Sequence, residues 1–396
     1  MLDNLFLAWQ YLTFYRARTT ILVASLTLIV FLPAGLDVVV RTSAEQLQNR
    51  ASTTPLVLGA KGSQQLDLVL NALYFETDPP TPIELGESNR VNQTGYADSI
   101  PLHTRFHVDR WPLVGTTLDY FEFRNLKVAE GATISILGDC VVGATVAKAM
   151  KLKPGDYVGS KAEGFVNLAG TYPLEMRVTG ILEATGTPDD RAVFIDLKTA
   201  WVIEGLGHGH QDVAEANDGE LILEQDATNI SVSPKIFQYN RITADNIQSF
   251  HFHGDESDFP ISSLLILPPD GRSSDLLRGQ YLGKDERVQV LVPQDHIDGL
   301  LDTVLKVRTF IIAGAFLVGL STLLTFTLVI VLSLRLRQRE LQTLAKIGCS
   351  RIRILSFVFC ELSMVIGIAL LLATCGVMGL QLLEDQAVRW LILTAA

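Results

Sequence analysis

Four cysteines in 396 residues leave little to staple. Cys349, Cys360 and Cys375 fall in or beside the last apolar stretch, and Cys140 stands alone in the polar middle of the chain. That middle therefore has no intrachain disulfide available and must be held by its own core. A phosphate-binding GxxxxGK[ST] pattern is also missing, because the stretch Gly59-Ala60-Lys61-Gly62-Ser63 lacks its spacing. Any ATP hydrolysis has to come from a separate chain. Neither HExxH nor CxxC occurs, which removes the patterns of helix-borne zinc proteases and thiol redox sites. Basic residues are scarce where most of the chain lies. Segment 41–307 holds 37 of the 43 acidic and 22 of the 32 basic residues, a net charge of −15 against −11 for the whole. Nucleic acid requires a basic footprint and is excluded as a partner, whereas cations are compatible with such a segment.

Apolar residues, by contrast, make up 48% of the chain, and the mean hydropathy is +0.28. About 20 mostly apolar residues suffice to cross the hydrocarbon core, and three stretches qualify: 19–40, 308–334 and 354–383. The first follows Arg16 and Arg18 and is longer than the apolar core of a cleaved signal, so it reads as a retained anchor. The connector 335–353 carries Arg335, Arg337, Arg339, Lys346, Arg351 and Arg353 against only Glu340, which puts it in the cytoplasm and 41–307 outside. Residues 1–18 place Leu2, Leu5, Phe6, Trp9, Leu12 and Phe14 near helical spacing, the pattern of a helix lying at the membrane surface. The tail 384–396 is too short for a further crossing and reads as an interfacial segment or partial fourth span. The fold class is thus a membrane protein with an α-helical transmembrane region of three full spans and a large α+β outer domain.

Within 41–307, short strands alternate with helices. Strands are expected at PLVLGA, SIPLHTRFHV, EMRVTGIL, RAVFIDL, SSLLILPP and RVQVLVP. Helices are expected at RTSAEQLQNRAS, SQQLDLVLNALYF, GATVAKAMKL, KTAWVIEG and SSDLLRGQYL, with HIDGLLDTVLKVRTF running into the second span as a stalk. Residues 76–98, 206–220 and 251–260 are rich in turn-forming types and read as loops.

Two motifs carry a family resemblance. CVVGATVAKAMKLKPGDYV followed by MRVTGILEATGTPDDRAVFIDLKTAWVIEG resembles the core of a MacB-type periplasmic domain, and RQRELQTLAKIGCSRIRIL resembles the connector of MacB/FtsX-like ABC transporter permeases. The resemblance implies a bacterial inner-membrane permease with its large domain in the periplasm, dimeric with a second copy or a homologous permease. It further implies a separate ABC ATPase and a periplasmic substrate-binding or accessory protein as partners. It places the chain itself as non-catalytic and as a transmitter of motion. A regulator in the manner of FtsX, acting on a wall hydrolase without transport, is the alternative; a membrane-anchored metalloenzyme is weaker, because no base stands beside the histidines in HExxH manner. Four spans per subunit are usual in that family, and 205–260 has no counterpart in its pattern.

The connector is where an ATPase would dock: Leu341, Leu344, Ala345 and Gly348 share one helical face, Ile347 lies beside them, and Arg339, Glu340 and Lys346 are available for charged contacts. Inside the third span Glu361 needs a partner helix or the cytoplasmic interface, since an unpaired carboxylate in lipid is costly. Gly367, Gly376 and Gly379 suit close helix approach. Four of the seven histidines stand in two short modules, His208-x-His210-x-Asp212 and His251-x-His253-x-Asp255. Alternate residues of an extended chain project to one side, so two such modules supply the three or four N/O ligands that zinc accepts; imidazole also suits copper and nickel. No tightly bound cofactor is expected beyond zinc or another transition metal there. His103, His107 and His296 read as ordinary.

Overall fold

Apolar runs of this length become helices because, where no water reaches, every backbone N–H and C=O must pair within its own segment. The computed structural model describes residues 2–161, 174–209, 222–225, 230–232, 240–336, 338–346 and 350–382. The chain divides into two units, Met1–Leu47 with Gly299–Ala396, and Gln48–Asp298.

The first unit is built from the helices Leu2–Phe14, Arg16–Ser52, Pro293–Leu336, Gln338–Lys346 and Arg351–Leu382. The second, third and fifth of these contain stretches long and apolar enough to cross a membrane, which makes the three expected spans. Leu12, Phe326 and Val365 are buried together against Leu22, Leu26 and Leu362. Phe310, Phe316 and Leu324 are exposed, forming surface for lipid to cover. On the lead-in helix Ala8 and Leu12 are buried while Phe6 and Phe14 are exposed, and Tyr11 meets Phe357 edge-on at 6.3 Å. A Cβ on Gly376 would stand 3.0 Å from ring carbons of Phe31, so this glycine permits close helix approach. Among the described residues no heavy atom lies within 4 Å of a Cβ placed on Gly367 or Gly379. The tail 384–396 lies outside the described residues.

The second unit is organised by a ten-stranded mixed sheet. Edge to edge it runs Val288–Leu291, Leu56–Ala60, Ser263–Leu267, Asp98–Val108, Trp111–Thr116, Val193–Asp196, Asp139–Val142, Glu175–Leu182 and Val128–Gly131, with Tyr157–Gly159 also on Glu175–Leu182. Strand Asp98–Val108 joins its halves: residues 98–102 pair with Ser263–Leu267, and His103 onward pairs with Trp111–Thr116. Each half has its own core. One gathers Phe106, Trp111, Leu113, Met176, Val193 and Ile203; the other gathers Leu56, Leu58, Ile83, Trp201, Phe259 and Leu264. Helix Leu197–Glu204 serves both, because Ala200 and Ile203 face the first core while Leu197 and Trp201 face the second.

Three departures from expectation have local causes. Residues 76–98 hold a strand, Ile83–Glu84, and a helix, Gly86–Gln93, whose polar sequence hides the two inward residues Ser88 and Val91. Trp111–Thr116 is a strand despite Pro112 and Gly115. Tertiary contact explains the glycine, since a Cβ on Gly115 would stand 2.8 Å from Cβ of Ala200. The histidine loops contain short strands, Gly207–Gly209 and Phe250–Phe252, joined antiparallel.

Candidate functional site

The strand pair Gly207–Gly209 and Phe250–Phe252 sets His208 directly opposite His251. Residues opposite one another on antiparallel strands share a face, and so does His253, two residues beyond His251. The three rings have centroids 4.8 Å (His208–His251), 5.0 Å (His208–His253) and 4.8 Å (His251–His253) apart. One ligand nitrogen from each lies within 4.8 Å of the other two; His208 is half-buried and the other two are exposed.

The opposite face explains why the motif is written GHG against FHF. Phe252 lies across from Gly207 and Phe250 across from Gly209. A Cβ on Gly207 would stand 2.5 Å from the Phe252 ring, and one on Gly209 would stand 2.7 Å from the Phe250 ring. The phenylalanines thus occupy the glycines' missing side chains, turn inward, and leave the imidazoles on the solvent side. Phe250 packs against the first core and Phe252 against the second. Two further bonds fix the site: the His253 backbone N–H donates to the Leu206 carbonyl at 3.3 Å, and His251 Nδ1 lies 3.1 Å from the Ser249 carbonyl. Donation from Nδ1 to that carbonyl leaves the Nε2 lone pair available to a ligand, as ligating histidines commonly have it.

Of the expected ligands, the structure brings together His208, His251 and His253. Asp255 stands apart from this group: its carboxylate accepts from the Ser257 backbone N–H at 2.9 Å and hydroxyl at 2.7 Å, capping the turn Glu256–Asp258. Those bonds hold it below the usual carboxylate range. His210 and Asp212 lie outside the described residues. His103 is buried, with Nε2 3.3 Å from Glu204 Oε2, and is not a member of the group of three.

The last turn of the first long helix carries a residue that sequence reasoning missed. Arg50 is buried, as is Asp189. Its Nη1 donates to Asp189 Oδ2 at 2.6 Å and its Nη2 to Asp189 Oδ1 at 2.9 Å and to Tyr120 Oη at 2.8 Å, while Nε donates to the Leu73 carbonyl. Tyr120 in turn donates to Asp189 at 2.7 Å. Burial alone would push the Asp189 carboxyl up, but the facing Arg50 charge and these bonds hold it below the usual range. The only signal for this in sequence was an arginine at the end of a polar helix.

Glu361 finds the partner helix it needs: Arg18 Nη2 lies 2.6 Å from its Oε1, and the same guanidinium stands 5.2 Å from the Tyr11 ring centroid. At residue 37 of the first long helix, Asp37 takes Arg41 at 2.9 Å and also pairs with Arg308 of the second. In the connector, helix Gln338–Lys346 carries Arg339, Gln342, Thr343 and Lys346 exposed. Glu340, Leu341, Leu344 and Ala345 belong to the same helix; Ile347 and Gly348 lie outside the described residues.

Three helices long and apolar enough to cross a membrane, with a large mixed α+β unit inserted after the first, are the architecture of a membrane-embedded protein with a large domain outside the bilayer. Residues 20–235 match the family model of the MacB-like periplasmic core domain. The chain belongs to this family, whose model covers more than half of its length. Similar solved structures include the periplasmic region of MacB from Actinobacillus actinomycetemcomitans, 11% identical with a TM-score of 0.33, covering 66% of this chain and 96% of that one. Another is the extracellular domain of the noncanonic ABC-type transporter YknZ from Gram-positive bacteria, 12% identical with a TM-score of 0.32, covering 60% of this chain and 99% of that one. No curated protein matches the sequence.

Proposed function

We propose that this chain is the non-catalytic permease subunit of a bacterial inner-membrane ABC transporter that handles a transition metal, zinc above all, in its periplasmic unit. It works as a dimer with a separate ATPase, whose cycle it converts into motion of that unit. The observation that carries the metal reading is the convergence of His208, His251 and His253 from two segments more than forty residues apart in sequence. Neutral imidazoles are zinc donors, and the net negative charge of 41–307 favours cation capture. Protons compete for the same nitrogens, so affinity falls on acidification.

Two features support the lever. Helices Arg16–Ser52 and Pro293–Leu336 are 37 and 44 residues long, well beyond the roughly 20 that span a bilayer. Helix Gln338–Lys346, with Arg339, Gln342, Thr343 and Lys346 exposed, is the segment on which an ATPase would dock. The FtsX-like regulator reading is less favoured, because the family match is to the MacB-like core and a hydrolase regulator has no need of the histidine triad.

The test is purification of the intact protein in mild detergent. An ABC ATPase should accompany it, and calorimetry should show about one zinc per chain at neutral pH, lost in a His208→Ala, His251→Ala, His253→Ala variant. A wall hydrolase in place of an outer metal-binding protein would turn the reading to regulation. Absence of zinc binding would remove the metal.

A further inference from the structure

The chain hands both long helices to one half of the sheet. Helix Arg16–Ser52 passes through Thr53, Thr54 and Pro55 into strand Leu56–Ala60, and strand Val288–Leu291 passes through Val292 into helix Pro293–Leu336. These two strands pair antiparallel, Val57 opposite Leu291 and Ala60 opposite Val288, in the half whose core holds Leu56, Leu58 and Leu264. Main-chain continuity alone brings a load on either helix to this half first.

The last turn of helix Arg16–Ser52 also grips the other half. Arg50 donates to Asp189 from Nη1 at 2.6 Å and from Nη2 at 2.9 Å, and Nη2 donates to Tyr120 Oη at 2.8 Å. Asp189 stands in the turn Pro188–Arg191, which leads into strand Val193–Asp196; Tyr120 stands in helix Leu118–Phe123, which follows strand Trp111–Thr116. Those strands pair in parallel and carry residues of the first core. The turn is itself stiff. The Asp190 carboxylate accepts from the backbone N–H of Thr185 at 2.9 Å and of Gly186 at 2.8 Å, and a Cβ on Gly143 would stand 2.4 Å from the carbonyl oxygens of Asp189 and Asp190. Arg50 Nε meanwhile donates to the carbonyl of Leu73 in helix Gln65–Tyr74, whose Leu68 fills the space beside Gly59 in the second half. One guanidinium thus bonds to both halves. Its planar fork of five N–H donors makes this possible, where a lysine ammonium would present a single point of charge.

We propose that Arg50 is the joint through which load on helix Arg16–Ser52 is shared with the half-sheet of Trp111–Thr116 and Val193–Asp196, with Asp189 and Tyr120 as its sockets. Arg124 Nη2, donating to the Thr54 hydroxyl at 2.8 Å, braces the same corner. The inference rests for its use on the lever proposed above and adds the residue by which that lever takes hold of the outer unit.

Hydrogen exchange read by mass spectrometry on the full chain in detergent micelles tests the joint, because segments that are firmly joined open as one cooperative unit. In the wild type, amides of 50–54 and of 193–196 should be protected to within about tenfold of each other. With Arg50→Met and Asp189→Leu together, protection of 50–54 should fall about 100-fold while that of 193–196 is kept. Arg50→Lys keeps a charge but loses the fork, and should separate the two segments by about tenfold; it carries the test if the double variant does not fold. Wild-type segments that differ by more than about tenfold, or segments that stay in step in a folded variant, would overturn the joint. Purification without an ABC ATPase would remove the lever while leaving the exchange result to stand by itself.

Discussion

Replacing Asp189 by Ala should destabilise the outer unit more than any exposed substitution. The carboxylate accepts from Arg50 at 2.6 and 2.9 Å, from Tyr120 at 2.7 Å and from the Thr187 hydroxyl at 2.9 Å. Removing it leaves the Arg50 guanidinium buried without a counter-charge, a change that costs 3–5 kcal/mol on the order of magnitude seen for broken buried pairs. Arg50 keeps the Leu73 carbonyl and Tyr120 oxygen as acceptors, which places the expected loss near the lower end, about 3 kcal/mol. For a unit of this size that corresponds to a fall in melting temperature of about 6–12 °C. Tryptophan fluorescence reads it, because Trp111 and Trp201 are both buried in the unit. Exchanging both partners, Arg50→Met with Asp189→Leu, should recover most of the loss, since an apolar pair carries no orphaned charge. A fall of less than about 2 °C for Asp189→Ala would refute the reasoning, for it would mean that water already solvates the pair.

Acid should probe the same network with a definite sign. The Asp189 carboxyl is held below its ordinary value, so its contribution is full above the unfolded value of about 3.9 and disappears as pH falls through the lower, folded one; Asp189→Asn should flatten that part of an acid-unfolding curve. Gly207→Ala brings a Cβ to 2.5 Å from the Phe252 ring; overpacking of about 1–3 kcal/mol should follow, with weaker zinc binding by calorimetry, and unchanged affinity would show that the strand pair does not position the triad. Leu344→Asp together with Ile347→Asp should lower ATPase co-purification while the protein still inserts, and undiminished co-purification would take the connector out of the mechanism. Reporters fused at 150 and 345 should be active only outside and only inside the cytoplasm respectively; a cytoplasmic signal at 150 would reverse the topology.

The elements legible in the sequence were those with strong periodicity or length. Leu56–Ala60, Glu175–Leu182, Ser263–Leu267 and the three spans read directly, because burial of a continuous or alternating apolar set leaves its mark on composition. Trp111–Thr116 did not, since its proline and glycine are tolerated only by neighbours distant in sequence. The triad was half legible. Residue types and spacing pointed to His208, His251 and His253, but the two modules were taken as loops. The alternation of phenylalanine with histidine from 250 to 253 is itself a period of two, hidden because the polar partner was histidine rather than a solvating charge. Glu361 asked for a partner without naming Arg18, and Arg50 gave no hint of Asp189, because ion pairs across long sequence separations leave no local pattern.

One three-residue strand, Phe250–Phe252, has its first ring in one core and its third in the other, with a histidine of the triad between them. An ion held there would carry a reciprocal obligation. If binding favours one spacing of the two half-sheets, then any force that alters that spacing must change the ion's affinity by the same free energy. A membrane motor pulling on the unit would thus need no gate at the metal to make it let go: a shift between the two cores, felt through two phenylalanines, would be enough to turn a tight site into a loose one.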